Sequence, residues 1–224
     1  MFCGMLEVNP KSDQFDIYFG MAKMLRQELE KIDGFVDNDR YASLTRPGWL
    51  LSLSSWRDEK ALVRWSVEAH HHKIMQAARD RVFADYRMHI GEFVADTRVA
   101  AGYTLLQQRL DVTEAGTGKS ITLLDGPREA EWVKQAAADA VVKSLGFDPN
   151  AVETVEWDVF DAVAAPGNVI ALLKWDDLTR AEAFRRAGTA PSEVRLRNIR
   201  VIRDYGMFDR REAPQYFAEA HAGT

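Results

Sequence analysis

Cysteine is almost absent: Cys3 stands alone among 224 residues, so no internal disulfide can form and no cysteine cluster can hold zinc or an iron–sulfur centre. Long apolar runs are missing too, and no stretch approaches the roughly 18–20 apolar residues of a membrane span. The opening MFCGMLEVNP lacks the basic start and long apolar run of a signal peptide. A reducing, cytoplasmic compartment is the expectation. Charge of one sign is also lacking, because 29 Lys and Arg face 34 Asp and Glu for a formal net charge of −5. Such a mixed surface exerts no long-range pull on nucleic acid or an anionic membrane, and neither is expected as a partner. RLRNIRVIRD at 195–204 is basic, but its Leu196, Ile199 and Val201 suit a strand with charges outside. No G-x-S-x-G nucleophile elbow occurs. GTGKS at 116–120 resembles the end of a phosphate-binding loop, yet Thr113 stands where that loop needs glycine, and a strand rather than a helix follows.

What is present is an ordinary globular composition, 46% hydrophobic and 28% charged. Met1 to Val8 reads as a strand ended by Asn9-Pro10. Phe15, Phe19, Ala22, Met24, Leu25, Leu29 and Ile32 recur at helical spacing, and Asp33-Gly34 stops that helix. FVDNDRYASLT and WLLSLSSW read as strands joined across Arg46-Pro47-Gly48. A helix is expected from Asp58 towards Tyr86, with a break near His70 or Arg81, and RMHIGEFVADT is the last strand. The order β-α-β-β-α-β is the ferredoxin-like arrangement, a sheet covered on one face by two helices.

The second half repeats this order. GKSITLLDG, TVEWDVFDAV, APGNVIALLKW and EVRLRNIRVIRDY are expected strands, with helices at REAEWVKQAAADAVVKSLGF and AEAFRRAG. RPGWLLSLSSW and APGNVIALLKW share a register offset that matches Pro47 with Pro166, Gly48 with Gly167, Leu53 with Leu172 and Trp56 with Trp175. Asp58 and Asp177 keep it. A turn, an apolar strand and a terminal tryptophan in one register imply the same unit twice. The expected class is α+β: a module at 1–99, a linker at 100–118, a divergent module at 119–205 and a tail at 206–224. A short strand or helical turn is expected within 104–112, and Met207, Phe208, Tyr216 and Phe217 are expected to fold back onto the body. Joining the two bare sheet faces makes a barrel-like interior and leaves space between sheet and helices for a ligand.

IDGF at 32–35, SLSSWRDE at 52–59, a histidine six residues after Trp65, and FADYR at 83–87 carry a resemblance to the antibiotic biosynthesis monooxygenase family over about residues 1–97. The resemblance implies a dimeric α+β barrel, here supplied within one chain as a tandem version. It also implies a range of activities: oxidation of aromatic or quinol substrates with oxygen and no bound cofactor, haem degradation, or none assigned.

His70, His71 and His72 are adjacent, and neighbours on a helix point about 100° apart, so all three cannot ligate one metal. No metal site is expected. His71 occupies the position where the family carries a histidine, which implies a base for a phenolic proton or an axial haem ligand. Trp65 and Trp56 are expected to wall a planar ligand, although Trp56, repeated as Trp175, also suits core packing. Tyr86, Arg87 and Tyr41 are candidates for orienting a polar substrate. Three readings stand at this point. One is a cofactor-independent monooxygenase acting on a small aromatic or quinol substrate. The second is a non-catalytic small-molecule-binding or structural protein, and the third a haem-binding or haem-degrading one. Unpaired strand edges would favour a homodimer.

Overall fold

Alternation shapes the first strand: Cys3, Met5 and Glu7 point to one face of the sheet and Gly4 and Leu6 to the other. In the computed structural model, which describes residues 1–105 and 113–214, that strand is β1 (Phe2–Pro10). It is followed by α1 (Phe15–Leu29), β2 (Phe35–Ser43), β3 (Leu50–Trp56), α2 (Glu59–Ser66), α3 (Ala69–Arg81) and β4 (Phe83–Asp96). The second half runs β5 (Ser120–Pro127), α4 (Ala130–Gln135), α5 (Ala138–Ser144), β6 (Glu156–Ala162), β7 (Asn168–Trp175), α6 (Leu178–Ala187) and β8 (Arg195–Gly206). The segment expected within 104–112 and the docking of Tyr216 and Phe217 fall outside the described residues.

The eight strands close into one barrel in the order β1-β3-β2-β6-β7-β5-β8-β4, all pairs antiparallel. The halves join at two seams. Tyr41, Ala42 and Ser43 of β2 meet Ala162, Asp161 and Phe160 of β6, and β4 runs along β8 from Arg87 opposite Gly206 to Asp96 opposite Arg197. This is the fused ferredoxin-like α+β barrel that the repeat implies. Closure has a further consequence: it leaves no open sheet edge, so the expected homodimer loses the edge-pairing argument for it.

The two copies of the repeated unit match in detail. Gly48 and Gly167 both adopt positive φ, +84° and +92°, as a turn that only glycine enters without strain requires. Asp58 caps α2 by accepting from the Ala61 amide at 2.9 Å, and Asp177 caps α6 by accepting from the Arg180 amide at 2.8 Å. Trp56 and Trp175 are both buried, and each indole N–H donates to a nearby hydroxyl, Ser54 Oγ at 3.0 Å and Thr122 Oγ1 at 2.9 Å.

Other boundaries differ from the sequence pattern. The helix expected up to Tyr86 breaks at Val67-Glu68, where the Glu68 carboxylate accepts from the His71 amide and starts α3 anew. It ends at Arg81, because Phe83 and Tyr86 are drawn into β4 beside β1. The long helix of the second half divides into α4 and α5 between Ala136 and Ala137, both in extended backbone. Lys119 and Ser120 lead into strand β5, as the sequence indicates against a phosphate loop.

Inside the barrel, Met5, Leu51, Leu53, Ile121, Leu123, Phe160, Ile170 and Leu172 are at most 3% exposed. Each such large aliphatic or aromatic side chain contributes about 1.5–3 kcal/mol. One end of this interior is ionic. Glu7 receives the Arg46 guanidinium, His89 Nε2 at 3.0 Å and Lys174 Nζ at 2.9 Å, while Arg46 also donates to Asp158 at 2.8 Å. Burial pushes the Glu7 carboxyl up, but the His89 hydrogen bond and the charges of Lys174 and Arg46 outweigh it and hold the group well below the usual carboxylate range. Residues of both halves thus meet in one network.

Candidate active site

The helix-facing side of the first module encloses a cavity of about 150 Å³. Its floor comes from alternate residues of the sheet: Gly4 and Leu6, Asn38 and Arg40, Ser52 and Ser54, Met88 and Ile90. Its roof is Tyr18, Met21 and Leu25 of α1, Leu62 and Trp65 of α2, and His71, Met75 and Ala78 of α3. Gly4 keeps the floor low, since a Cβ there would lie 3.1 Å from Ser54 Oγ and 3.2 Å from Met88 Cε. In the second module the equivalent space is filled by Val133, Val141, Val142, Leu145, Phe147 and Phe184. A cavity of about this size accommodates a benzene-sized body, so the first-module site has room for a single small ring.

His71 and Trp65 form one wall. Their rings stack at 4.2 Å between centroids, with 21° between planes. His71 Nδ1 lies 3.0 Å from the Trp65 carbonyl oxygen. A carbonyl only accepts, so the proton sits on Nδ1 and the lone pair on Nε2. Burial pushes the His71 imidazole down to about 4, against the raising effect of that carbonyl, and the ring is neutral at pH 7. His72 also lines the cavity, whereas His70 lies on the surface with Nδ1 2.6 Å from Glu28 Oε1. Trp56 closes the cavity at the end of β3.

Tyr86 contributes from β4, 5% exposed. Its hydroxyl oxygen accepts from Arg79 Nη1 at 3.2 Å and from Arg210 Nη1 at 2.6 Å. Arg210 belongs to the segment after β8 and lines the cavity, so the end of the second half completes a site in the first. That segment is anchored by Glu212, whose carboxylate accepts from the amides of Glu114, Ala115 and Asp204 and from the Thr113 hydroxyl.

Of the residues expected at a site, His71, Trp65, Trp56 and Tyr86 meet in this cavity. Tyr41 and Arg87 do not. Successive strand residues point to opposite faces, so Arg87, next to Tyr86, points to the barrel end and donates to Asp204, while Tyr41 packs inside the barrel. Burial pushes the Tyr41 hydroxyl pKa up. Tyr18, Asn38, Arg40, Arg79 and Arg210 were not singled out by the sequence. The alternation of FVDNDRYAS places Asn38 and Arg40 on one face and carried the signal for those two. Among the described residues no cluster of His, Cys, Asp or Glu could hold a metal ion, and no helix is long and apolar enough to cross a membrane.

Known proteins resemble this chain at both levels. The model of a family described as antibiotic biosynthesis monooxygenase matches residues 1–77. A protein of Pyricularia oryzae named jasmonate monooxygenase is 40% identical over 98% of this chain and 100% of its own length. Among solved structures, an aldoxime dehydratase in complex with butyraldoxime superposes over 90% of this chain and 79% of its own, with a TM-score of 0.53 and 14% identity, a likeness of fold alone. A structure described as an antibiotic biosynthesis monooxygenase covers 40% of this chain and 95% of its own, with 16% identity and a TM-score of 0.36.

Proposed function

Because this chain belongs to the antibiotic biosynthesis monooxygenase family, we propose that it is a monooxygenase that places one atom of dioxygen into a small, largely apolar, single-ring substrate held in the first-module cavity. The observation that carries the reading is the cavity itself, an apolar space with the His71 imidazole, the Tyr86 hydroxyl and the Arg40 guanidinium at its walls. An open cavity in one module beside a filled space in the other weighs against a purely structural role.

Monooxygenation balances as R–H + O2 + 2 e− + 2 H+ → R–OH + H2O. An electron-rich phenol or quinol supplies the two electrons and two protons itself and leaves as the oxygenated quinone; any other substrate needs an added reductant. The Pyricularia relative's name makes jasmonate, a cyclopentanone bearing a carboxylate, the first substrate to assay. A one-ring phenol or quinol is the second reading, supported by the same dimensions and by the stacked Trp65–His71 wall.

His71 acts in either case as a hydrogen-bond acceptor that orients the substrate through Nε2. Full proton abstraction is disfavoured, since moving a proton from a phenol of pKa about 10 to an imidazole near 4 costs about 8 kcal/mol. Tyr86, with Arg79 and Arg210 donating to its oxygen, is polarised to donate its own proton towards a developing negative oxygen. Haem is not part of the proposal, because a porphyrin exceeds a benzene-sized space and the His71 ring face is covered by Trp65.

The test is mass spectrometry of products formed under isotopically labelled dioxygen, from jasmonate and from a monocyclic quinol, each with and without NADPH. One labelled oxygen in the product, lost in His71→Ala and Trp65→Leu variants that still fold, supports the reading. Unlabelled substrate recovered in every arm would sink it.

A further inference from the structure

We propose that Arg40, assisted by Tyr18, is an anion anchor and that the cavity takes its substrate as a carboxylate. The inference rests on the cavity being the substrate site and adds the chemistry of the group recognised there.

Arg40 stands on the helix-facing side of β2 and lines the cavity. Its Nε is buried without a hydrogen-bond partner, and among the described residues no carboxylate lies within ion-pair distance of its guanidinium. Other arginines near it are compensated. Arg26, also at the cavity, donates to Glu30 at 2.7 Å and to the Asn38 carbonyl at 2.9 Å, and Arg197 inside the barrel, whose Nε is likewise without a partner, has its charge met by Asp125 at 2.9 Å. Asp39, next in sequence, lies on the opposite face of the strand. A guanidinium is charged at every working pH, so Arg40 presents an unbalanced positive charge and an idle buried donor to an apolar space.

A buried donor without a partner is an expensive arrangement that folded proteins rarely keep unless something fills it. A carboxylate fits best: two oxygens match the planar fork of the guanidinium, and the charge is neutralised at a half-buried position. Tyr18 supports the same end. The residue is 5% exposed, and its hydroxyl is close enough to Arg40 for the guanidinium to oppose the upward push of burial on its pKa. The phenol proton therefore stays in place as a second donor. The ring of the ligand would then lie towards Met75, Met88 and Trp65, with its carboxylate at β2.

Isothermal titration of the full chain with jasmonate and with methyl jasmonate tests this, because the one added methyl group removes the charge of the head. One charge-assisted hydrogen-bond pair corresponds to about 10- to 100-fold in affinity. Wild type is expected to prefer the acid by that factor. Arg40→Met should weaken acid binding until the two ligands are equal, with ester binding unchanged. Tyr18→Phe should reduce the preference part of the way. If Arg40→Met fails to fold, judged by its melting profile, Arg40→Lys replaces it and should retain only part of the preference. Equal binding of acid and ester by wild type, a preference that survives at Arg40→Met, or no saturable binding of either ligand would each overturn the anchor. Preference for the acid without any labelled product would sink the monooxygenase reading and leave the anchor standing. Labelled product without preference does the reverse.

Discussion

Replacing Glu7 by Gln keeps the side-chain volume and removes the carboxylate on which Arg46, His89 and Lys174 converge. Glu7 and Lys174 are 1% and 5% exposed at their side chains, so the cations left behind cannot be rehydrated without opening the barrel. Breaking a buried ion pair by removing one partner costs about 3–5 kcal/mol. For a chain of this length that lowers Tm by about 6–20 °C. The double variant Glu7→Leu with Lys174→Met removes both charges and leaves Arg46 paired with Asp158. It should be less damaged than Glu7→Gln alone, since apolar replacement of a whole buried pair is often neutral. The pH dependence has a defined sign. The folded carboxyl is held well below its ordinary value of 4.5, so its contribution is complete above that pH and is lost as the pH falls through the folded value. Urea unfolding followed by tryptophan fluorescence, from pH 7 into the acid range, measures both effects. A Glu7→Gln protein within about 1 kcal/mol of wild type, or one with the same acid-side slope, would refute the reasoning.

For His71, the folded imidazole is held at about 4 against 6.5 unfolded, so the unfolded chain binds a proton first as pH falls through that window and stability falls with it. The slope is at most about 1.4 kcal/mol per pH unit, and urea midpoints of His71→Gln should lack it. Asp58→Ala and Asp177→Ala should each cost about 1 kcal/mol through loss of a helix cap, and their sum should describe the double variant, as denaturant curves will show. Glu212→Ala should cost about 1–3 kcal/mol and speed amide exchange at Ala115 and Asp204, whose N–H groups it holds; unchanged exchange at both would contradict its anchoring role.

The sequence by itself determined the order of elements, the repeat and the family resemblance, because each of these is written in short-range patterns. Helical spacing from Phe15, alternation in β1, glycines at two equivalent turns and aspartates at two equivalent helix starts act over a few residues. The pairing of His71 with Trp65 was equally local, since both lie on one turn-connected pair of helices. Only the tertiary structure decided the rest. Which of Tyr86 and Arg87 enters the cavity depends on which face of β4 meets the helices, and that is fixed by register against β1 and β8. The contribution of Arg210 depends on barrel closure, which brings it to Tyr86 across 124 positions of chain. The same closure gathers Glu7, His89, Asp158 and Lys174 into one buried network. In the sequence each of these is a single charged residue among ordinary neighbours, and its role exists only once apolar burial has drawn the two sheets into one barrel.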